Sequence, residues 1–189
     1  MKALLLDGSL KNDFGSIRSI LTEELTKQGF DVESILVREM NVAPCQGEFD
    51  CWIRTPGECK TNDDGRELAK KMIQDDLVIH LTPITFGGYS SELKKVLDRF
   101  IPVLLPYFTK RNGETHHKYR YKKRSSIIAV GVLDTPDDEK ESVFKELVNR
   151  NSLNLGAPIH EAIVYTKNLS KDDFIKEFNN LLEEVEGIA

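Results

Sequence analysis

The chain has 189 residues, of which 40% are hydrophobic and 30% charged, with a formal net charge of −5. That length can bury one sizeable α/β core, and the acidic balance excludes general nucleic-acid binding, which depends on phosphate neutralisation by Lys and Arg. No apolar run approaches the roughly 20 residues needed to span a bilayer, and three cysteines, an odd number, fit a reducing, cytoplasmic compartment better than a disulfide framework.

Lys2–Asp7 is too short an apolar stretch for a signal peptide, is broken by Asp7, and reads as a first strand. A polar Gly/Ser turn leads into a helix over Gly15–Gln28, with Ile17, Ile20, Leu21 and Leu25 on one stripe and Gly29 as its stop. Asp31–Val37 is a second strand. Residues 38–62 are irregular and carry all three cysteines. A helix over Asp63–Gln74 and a buried strand over Asp76–Thr82 follow. Ser90 then caps a helix running to Phe100, ended by Pro102 and Pro106. Residues 101–124 break the repeating plan and read as an insertion. Ser125–Val132, Asp138–Asn151, Ile159–Thr166 and Lys171–Glu186 complete the pattern as strand, helix, strand and helix. The alternation predicts a single domain over 1–189, a doubly wound parallel sheet with helices on both faces.

Ligands of such sheets bind outside the carboxyl ends of the strands. After the first strand, Gly8-Ser9-Leu10-Lys11-Asn12-Asp13-Phe14-Gly15-Ser16 places hydroxyls, a cation and flexible glycines before a helix N-terminus, where free N–H groups favour an anion. It lacks the Gly-Lys-Ser/Thr ending of a P-loop and the G-x-G-x-x-G of a dinucleotide loop, so a monophosphate suits it better. Taken alone, an ordinary capped turn explains the loop equally. After the third strand, Thr82-Pro83-Ile84-Thr85-Phe86-Gly87-Gly88-Tyr89 combines a fixed turn, two glycines that permit close backbone approach, and flat apolar surface from Phe86 and Tyr89. That combination suits a planar heterocycle read by main-chain hydrogen bonds. A phosphoacceptor signalling module is disfavoured, because Thr82-Pro83 stands where it needs an Asp.

Together these loops resemble those of the NAD(P)H-dependent FMN reductase and iron–sulfur flavoprotein family. Its P-x-Y-F/W-G turn and L-K-x-x-L/I-D-R helix are matched at Pro83, Phe86, Gly87, Leu93, Lys94, Leu97, Asp98 and Arg99, and its G-S-P-R-x-x-x-x-T/S loop at Gly8, Ser9, Lys11 and Ser16. The resemblance implies a flavodoxin-like three-layer sandwich with strand order 2-1-3-4-5. It implies that Ser9, Lys11, Gly15, Ser16 and Ile17 cradle the FMN phosphate, and that Pro83, Ile84, Thr85, Phe86 and Gly87 contact the isoalloxazine ring. Thr85 stands where the family often has Tyr. Gly131, at the end of the fourth strand, is placed at the ring's far edge by fold position alone. Asp98 and Arg99 are expected to pair structurally at the helix end.

The family's iron–sulfur branch has C-x2-C-x2-C and a later fourth Cys, where this chain has Cys45, Glu48, Cys51 and Cys59. Carboxylate replaces soft thiolate poorly, which argues against a stable four-iron cluster, and no metal ligand is assigned. A zinc site of three Cys and one His lacks a neighbouring His. Trp52 has three open roles: flavin contact, subunit contact or core filler. The basic, aromatic stretch from Tyr107 to Tyr121 reads either as a lobe that covers the flavin and attracts anionic phosphates or as a solvated dimerisation arm. His80 is expected to be a satisfied core residue, and His160 to be structural.

The implied activity is transfer of electrons from NAD(P)H through FMN to a small acceptor such as a quinone or flavin. The alternative is an FMN electron carrier without direct nicotinamide oxidation. Neither requires a side-chain acid or base, because the cofactor carries the chemistry. A homodimer or homotetramer is implied by the resemblance alone.

Overall fold

The computed structural model describes residues 1–11 and 13–187. In chain order the elements are β1 (Lys2–Asp7), α1 (Gly15–Lys27), β2 (Asp31–Leu36), the short α2 (Asp50–Ile53), α3 (Asp64–Gln74), β3 (Leu77–Pro83) and α4 (Ser91–Asp98). They continue with β4 (Leu104–Arg111), β5 (Glu114–Tyr119), β6 (Ser126–Leu133), α5 (Asp138–Leu155), β7 (His160–Thr166) and α6 (Lys171–Glu186). Five strands form one parallel sheet in the order β2-β1-β3-β6-β7, and β4-β5 form a separate antiparallel pair.

The expected order 2-1-3-4-5 is therefore corrected to 2-1-3-6-7, because the segment read as an insertion supplies two strands of its own. Asn112 and Gly113, at φ 50° and 84°, make the two-residue turn whose twist matches paired strands, and Arg111 faces Glu114 across it. That Asn-Gly pair was the signal available in the sequence. Helix α5 also runs four residues beyond its expected end, to the left-handed Gly156 at φ 71°, a conformation that stops helices.

Strand alternation builds two cores. Ala3 and Leu5 of β1, Ile79 and Leu81 of β3, and Ile128 and Val130 of β6 meet Leu21 and Leu25 of α1 and Phe174, Phe178 and Leu182 of α6. The alternate residues Leu4, Leu6, Val78, Ile127 and Ala129 meet Leu68 of α3, Leu93 and Val96 of α4, and Phe144 and Val148 of α5. Each large side chain so buried contributes about 1.5–3 kcal/mol. Side-chain caps aim the helices: Asp63, Ser90, Asp137 and Ser170 accept from backbone N–H groups of Gly65, Leu93, Lys140 and Asp173.

The hairpin is rooted at the far end of the sheet from the strand ends that carry the two loops. Its β4 follows a 3-10 turn at Ile101–Val103, just after α4, and its β5 feeds the start of β6. From there it lies against α5, where Glu114 pairs with Arg150 and His116 meets Asn154. No helix among the described residues is long and apolar enough to cross a membrane.

Candidate cofactor site at the strand ends

The carboxyl ends of β1, β3 and β6 lie side by side, in register from Asp7↔Leu81 to Pro83↔Val132. The first loop leaves β1 at Gly8, whose N–H donates to Leu81 O at 2.8 Å. A Cβ at Gly8 would lie 2.7 Å from Leu93 Cβ, so only glycine lets β1 end this close to α4. Helix α1 starts at Gly15 without a side-chain cap, and its first helical hydrogen bond is Arg18 N–H to Phe14 O. Among the described residues the N–H groups of Gly15, Ser16 and Ile17, at the positive end of this 13-residue helix, have no hydrogen-bond partner.

Lys11 and Ser16 are exposed beside these donors, whereas Ile17 is buried in the core below. Ser9 is itself buried. Its N–H donates to Asp7 Oδ1 at 2.9 Å, and its hydroxyl oxygen accepts from Arg38 Nη1 at 2.9 Å. Arg38 also donates to Lys11 O, and Arg18 pairs with the buried Asp7 at 3.3 Å. Arg38 escaped the sequence reading because it lies 27 residues beyond Lys11; the parallel pairing of β1 with β2 brings it alongside. Lys11, Arg18 and Arg38 are set against the buried Asp7, Asp13 of the loop itself and Glu39, which pairs with Arg38 at 3.6 Å, so what favours an anion here is the open helix start.

The second loop is a tight turn in which Thr85 and Gly88 exchange backbone hydrogen bonds at 2.9 Å each way. Phe86 (φ 51°) and Gly87 (φ 75°) occupy its left-handed central positions. A left-handed conformation costs about 1–2 kcal/mol for a residue with a Cβ, so Phe86 is held there by the turn and projects fully into solvent. Gly88 has an ordinary backbone conformation, so only Gly87 is required to be glycine by its φ. The turn consumes the Thr85 and Gly88 N–H groups and leaves those of Phe86 and Gly87 facing outward. Pro83 ends β3, and Ile84 N–H donates to Val132 O while its side chain covers Gly131.

Three expectations are corrected at this rim. Tyr89 is buried, edge-on to Phe144 and His80, and offers no flat surface to a ligand. Asp98 pairs with Lys94 on the surface, whereas Arg99 is buried against Asp63, so the two neighbours do not pair with each other. His80 is buried in the core but is not satisfied, because neither ring nitrogen has a partner.

Cys45, Cys51 and Cys59 are free thiols that line one cavity of about 230 Å³ with Glu48 and Arg99. Burial, then the neighbouring Cys59, Cys45 and Glu48, pushes Cys51 up to about 11. Among the described residues no three His, Cys, Asp or Glu side chains are grouped closely enough, as placed, to hold a metal ion. Trp52 stacks on Phe49 and donates to Ile101 O, joining the cysteine loop to His117 of the hairpin. A wider groove of about 840 Å³ runs along α5 and β7 and is lined by charged groups such as Glu141, Lys145 and Glu177; it lies away from both loops.

A doubly wound sheet with an uncapped helix start beside a strained glycine turn is the architecture of a mononucleotide-binding α/β protein. The family profile of NADPH-dependent FMN reductases matches residues 1–130, and the chain belongs to that family. An iron–sulfur flavoprotein of Methanocaldococcus jannaschii is 31% identical over 110 residues, 57% of this chain and 55% of that protein. A Bacillus subtilis protein described as an NAD(P)H-dependent FMN-containing oxidoreductase is 28% identical over 132 residues, 69% of this chain and 67% of that one. The chain spans about half the length of the iron–sulfur flavoproteins it matches. An NAD(P)H:quinone oxidoreductase from Methanothermobacter marburgensis shares the flavodoxin-like fold, with a TM-score of 0.65 at 16% identity over 98% of this chain and 96% of that one.

Proposed function

We propose that the chain binds FMN at the strand ends and uses it to oxidise NAD(P)H and reduce a small acceptor such as a quinone or flavin. The single observation that carries this reading is the juxtaposition of the open α1 start with the Phe86–Gly87 turn on adjacent strands. The donors there fit a phosphate at one end and a flat heterocycle at the other. In this reading Gly15, Ser16 and Ile17 hold the phosphate through their N–H groups, with Ser16 Oγ and Lys11 at its exposed side. Ser9 acts one step back, by fixing Arg38 against the loop. Pro83, Ile84 and Thr85 set the turn's height, Phe86 and Gly87 direct N–H groups at the ring edge, and Gly131 acts from beneath, its lack of a Cβ letting the Ile84 side chain pack over it.

FMN held there would supply the redox chemistry, a two-electron exchange between a reduced nicotinamide and the acceptor. The outward N–H groups of Phe86 and Gly87 favour negative charge at that edge. We assign no iron–sulfur step, since the hard carboxylate of Glu48 interrupts the thiol set. We also propose one domain over 1–189 working as a homodimer or homotetramer in the cytoplasm, where free thiols persist.

The test is the visible spectrum of anaerobically purified protein before and after NADPH. Flavin bands that bleach are the expected result. Bands that stay oxidised point to an electron carrier reduced by another protein, and no flavin after FMN addition overturns the assignment of both loops. Iron and sulfide assays on the same sample are expected to read zero.

A further inference from the structure

The stretch that carries the three thiols folds back on itself between the second and the third. Helix α2 ends at Ile53, and the N–H groups of Arg54 and Thr55 both close onto Asp50 O, at 2.8 and 2.9 Å. The reversal is completed by Gly57 N–H on Cys51 O at 3.0 Å and Glu58 N–H on Thr55 O at 2.9 Å. Thr55 Oγ1 donates to Glu58 O at 2.8 Å. The residues beside the two cysteines then meet across the turn, with Lys60 Nζ 3.4 Å from Asp50 Oδ2.

Cys51 and Cys59 therefore stand on the two arms of one tight reversal, and both line the cavity of about 230 Å³. The second arm is held from outside the turn. Arg66 Nε donates to Cys59 O at 2.7 Å and to Thr61 O at 3.1 Å, and the buried Arg99 reaches Thr61 O at 3.3 Å. Cys51 is buried, whereas Cys59 is partly exposed, and both are free thiols. Cys45 lines the same cavity but precedes α2 and lies outside the reversal.

We propose that Cys51 and Cys59 are a redox pair, joined in a reversible disulfide when a hydroperoxide reaches the cavity. Cys59, the accessible sulfur of the two, attacks a peroxide oxygen and breaks the O–O bond. The departing oxygen leaves as water with the thiol proton, and Cys59 is left as a sulfenic acid. The Cys51 sulfur then attacks the Cys59 sulfur, the S–O bond breaks, and the hydroxide leaves as a second water with the Cys51 proton. The two thiols give up two electrons and two protons, which reduce hydrogen peroxide to two waters. Burial keeps the Cys51 thiol protonated near neutral pH, which suits the second role and not the first. A dithiol reopens the bond by exchange. In a reducing compartment such bonds are transient and report oxidant. FMN takes no part in the step, so the pair is tested whether or not the chain binds flavin.

Native protein is treated with hydrogen peroxide, its remaining thiols are blocked, and the chain is cut after Lys and Arg. The intact chain is expected to lose two hydrogens in mass. Residues 39–54 are expected to be joined to residues 55–60 in a product that dithiothreitol separates. The first of these peptides carries both Cys45 and Cys51, so variants assign the bond. Cys45→Ser is expected to keep the link, and Cys59→Ser and Cys51→Ser to lose it. In urea, where the reversal is gone, the three possible pairings are expected to mix. A link made through Cys45 overturns the proposal, as does the same mixture of pairings in native and unfolded protein. Oxidation that runs to sulfinic acid without a link overturns it too, as does iron found on these thiols in the protein as isolated.

Discussion

Arg99 is among the largest fully buried side chains of the molecule, and its worth lies in what it neutralises. Its Nη1 and Nη2 donate to the two Asp63 oxygens at 2.8 and 2.7 Å, and Nη1 also to Ala43 O at 2.7 Å. Burial alone would raise the Asp63 pKa, but hydrogen bonds from Arg99 and from the Ala43 and Gly65 N–H groups outweigh it and hold the carboxyl below its ordinary value. A depressed carboxylate stabilises the fold above its unfolded pKa of about 3.9 and loses that contribution as pH falls through the folded value. Arg99→Met strands the buried carboxylate and is expected to cost about 3–5 kcal/mol in urea unfolding. His80 has the same sign of pH dependence for a different reason. Its folded value, about 4, lies below the 6.5 of an exposed imidazole, so the unfolded chain binds the proton first. Stability is therefore expected to fall between pH 6.5 and 4 by roughly 3 kcal/mol at most. His80→Phe should flatten that slope in unfolding curves taken across the range.

At the scale of elements, the proposed site would bind through the backbone of the two loops, whose side chains set that backbone's shape. Gly87 sits at φ 75°, and a Cβ there would approach Val143 Cγ1 to 2.7 Å. Gly87→Ala is thus expected to cost about 1–2 kcal/mol of stability from the left-handed backbone and to weaken FMN binding measured by flavin fluorescence. Arg38 belongs to β2's end yet braces β1's loop. Arg38→Ala is expected to weaken FMN binding by about 1.5–3 kcal/mol, the worth of a hydrogen bond from a charged group, with less effect on riboflavin, which lacks the phosphate. Equal losses for both flavins would place Arg38 outside the phosphate's environment. The loop's glycines and hydroxyls were legible in the sequence because their chemistry is local; Arg38 was not, because strand pairing alone brings it there.

The whole molecule decides the role of the basic hairpin. Rooted at the opposite end of the sheet and laid against α5, it does not cover the strand-end site of its own chain. Two of its cationic neighbours are already engaged, Arg111 and Arg124 stacking over Tyr119 at 4.1 and 4.7 Å. The exposed Lys110 and Lys118 remain. In steady-state assays, Lys110→Glu with Lys118→Glu is expected to leave the KM for NADPH within about twofold, since charges more than a Debye length of about 8 Å away are screened. A large rise in KM would instead mean that a neighbouring subunit brings its hairpin to the site.

The sequence by itself determined the alternation of strands and helices, both glycine loops and the family. All of these rest on local periodicity, turn chemistry and short motifs, which need no knowledge of what packs where. It also held the Asn112–Gly113 hairpin turn, a local signal outweighed by the basic charges around it. Only the tertiary structure decided that Tyr89 faces inward, that Arg99 belongs to Asp63, that Arg38 braces the loop after β1 and that His80 is buried without a partner among the described residues. The first three depend on partners distant in the chain, such as Phe144 beside Tyr89, Asp63 beside Arg99 and Ser9 beside Arg38. Strand register and helix packing choose such partners, and a single linear sequence does not display them.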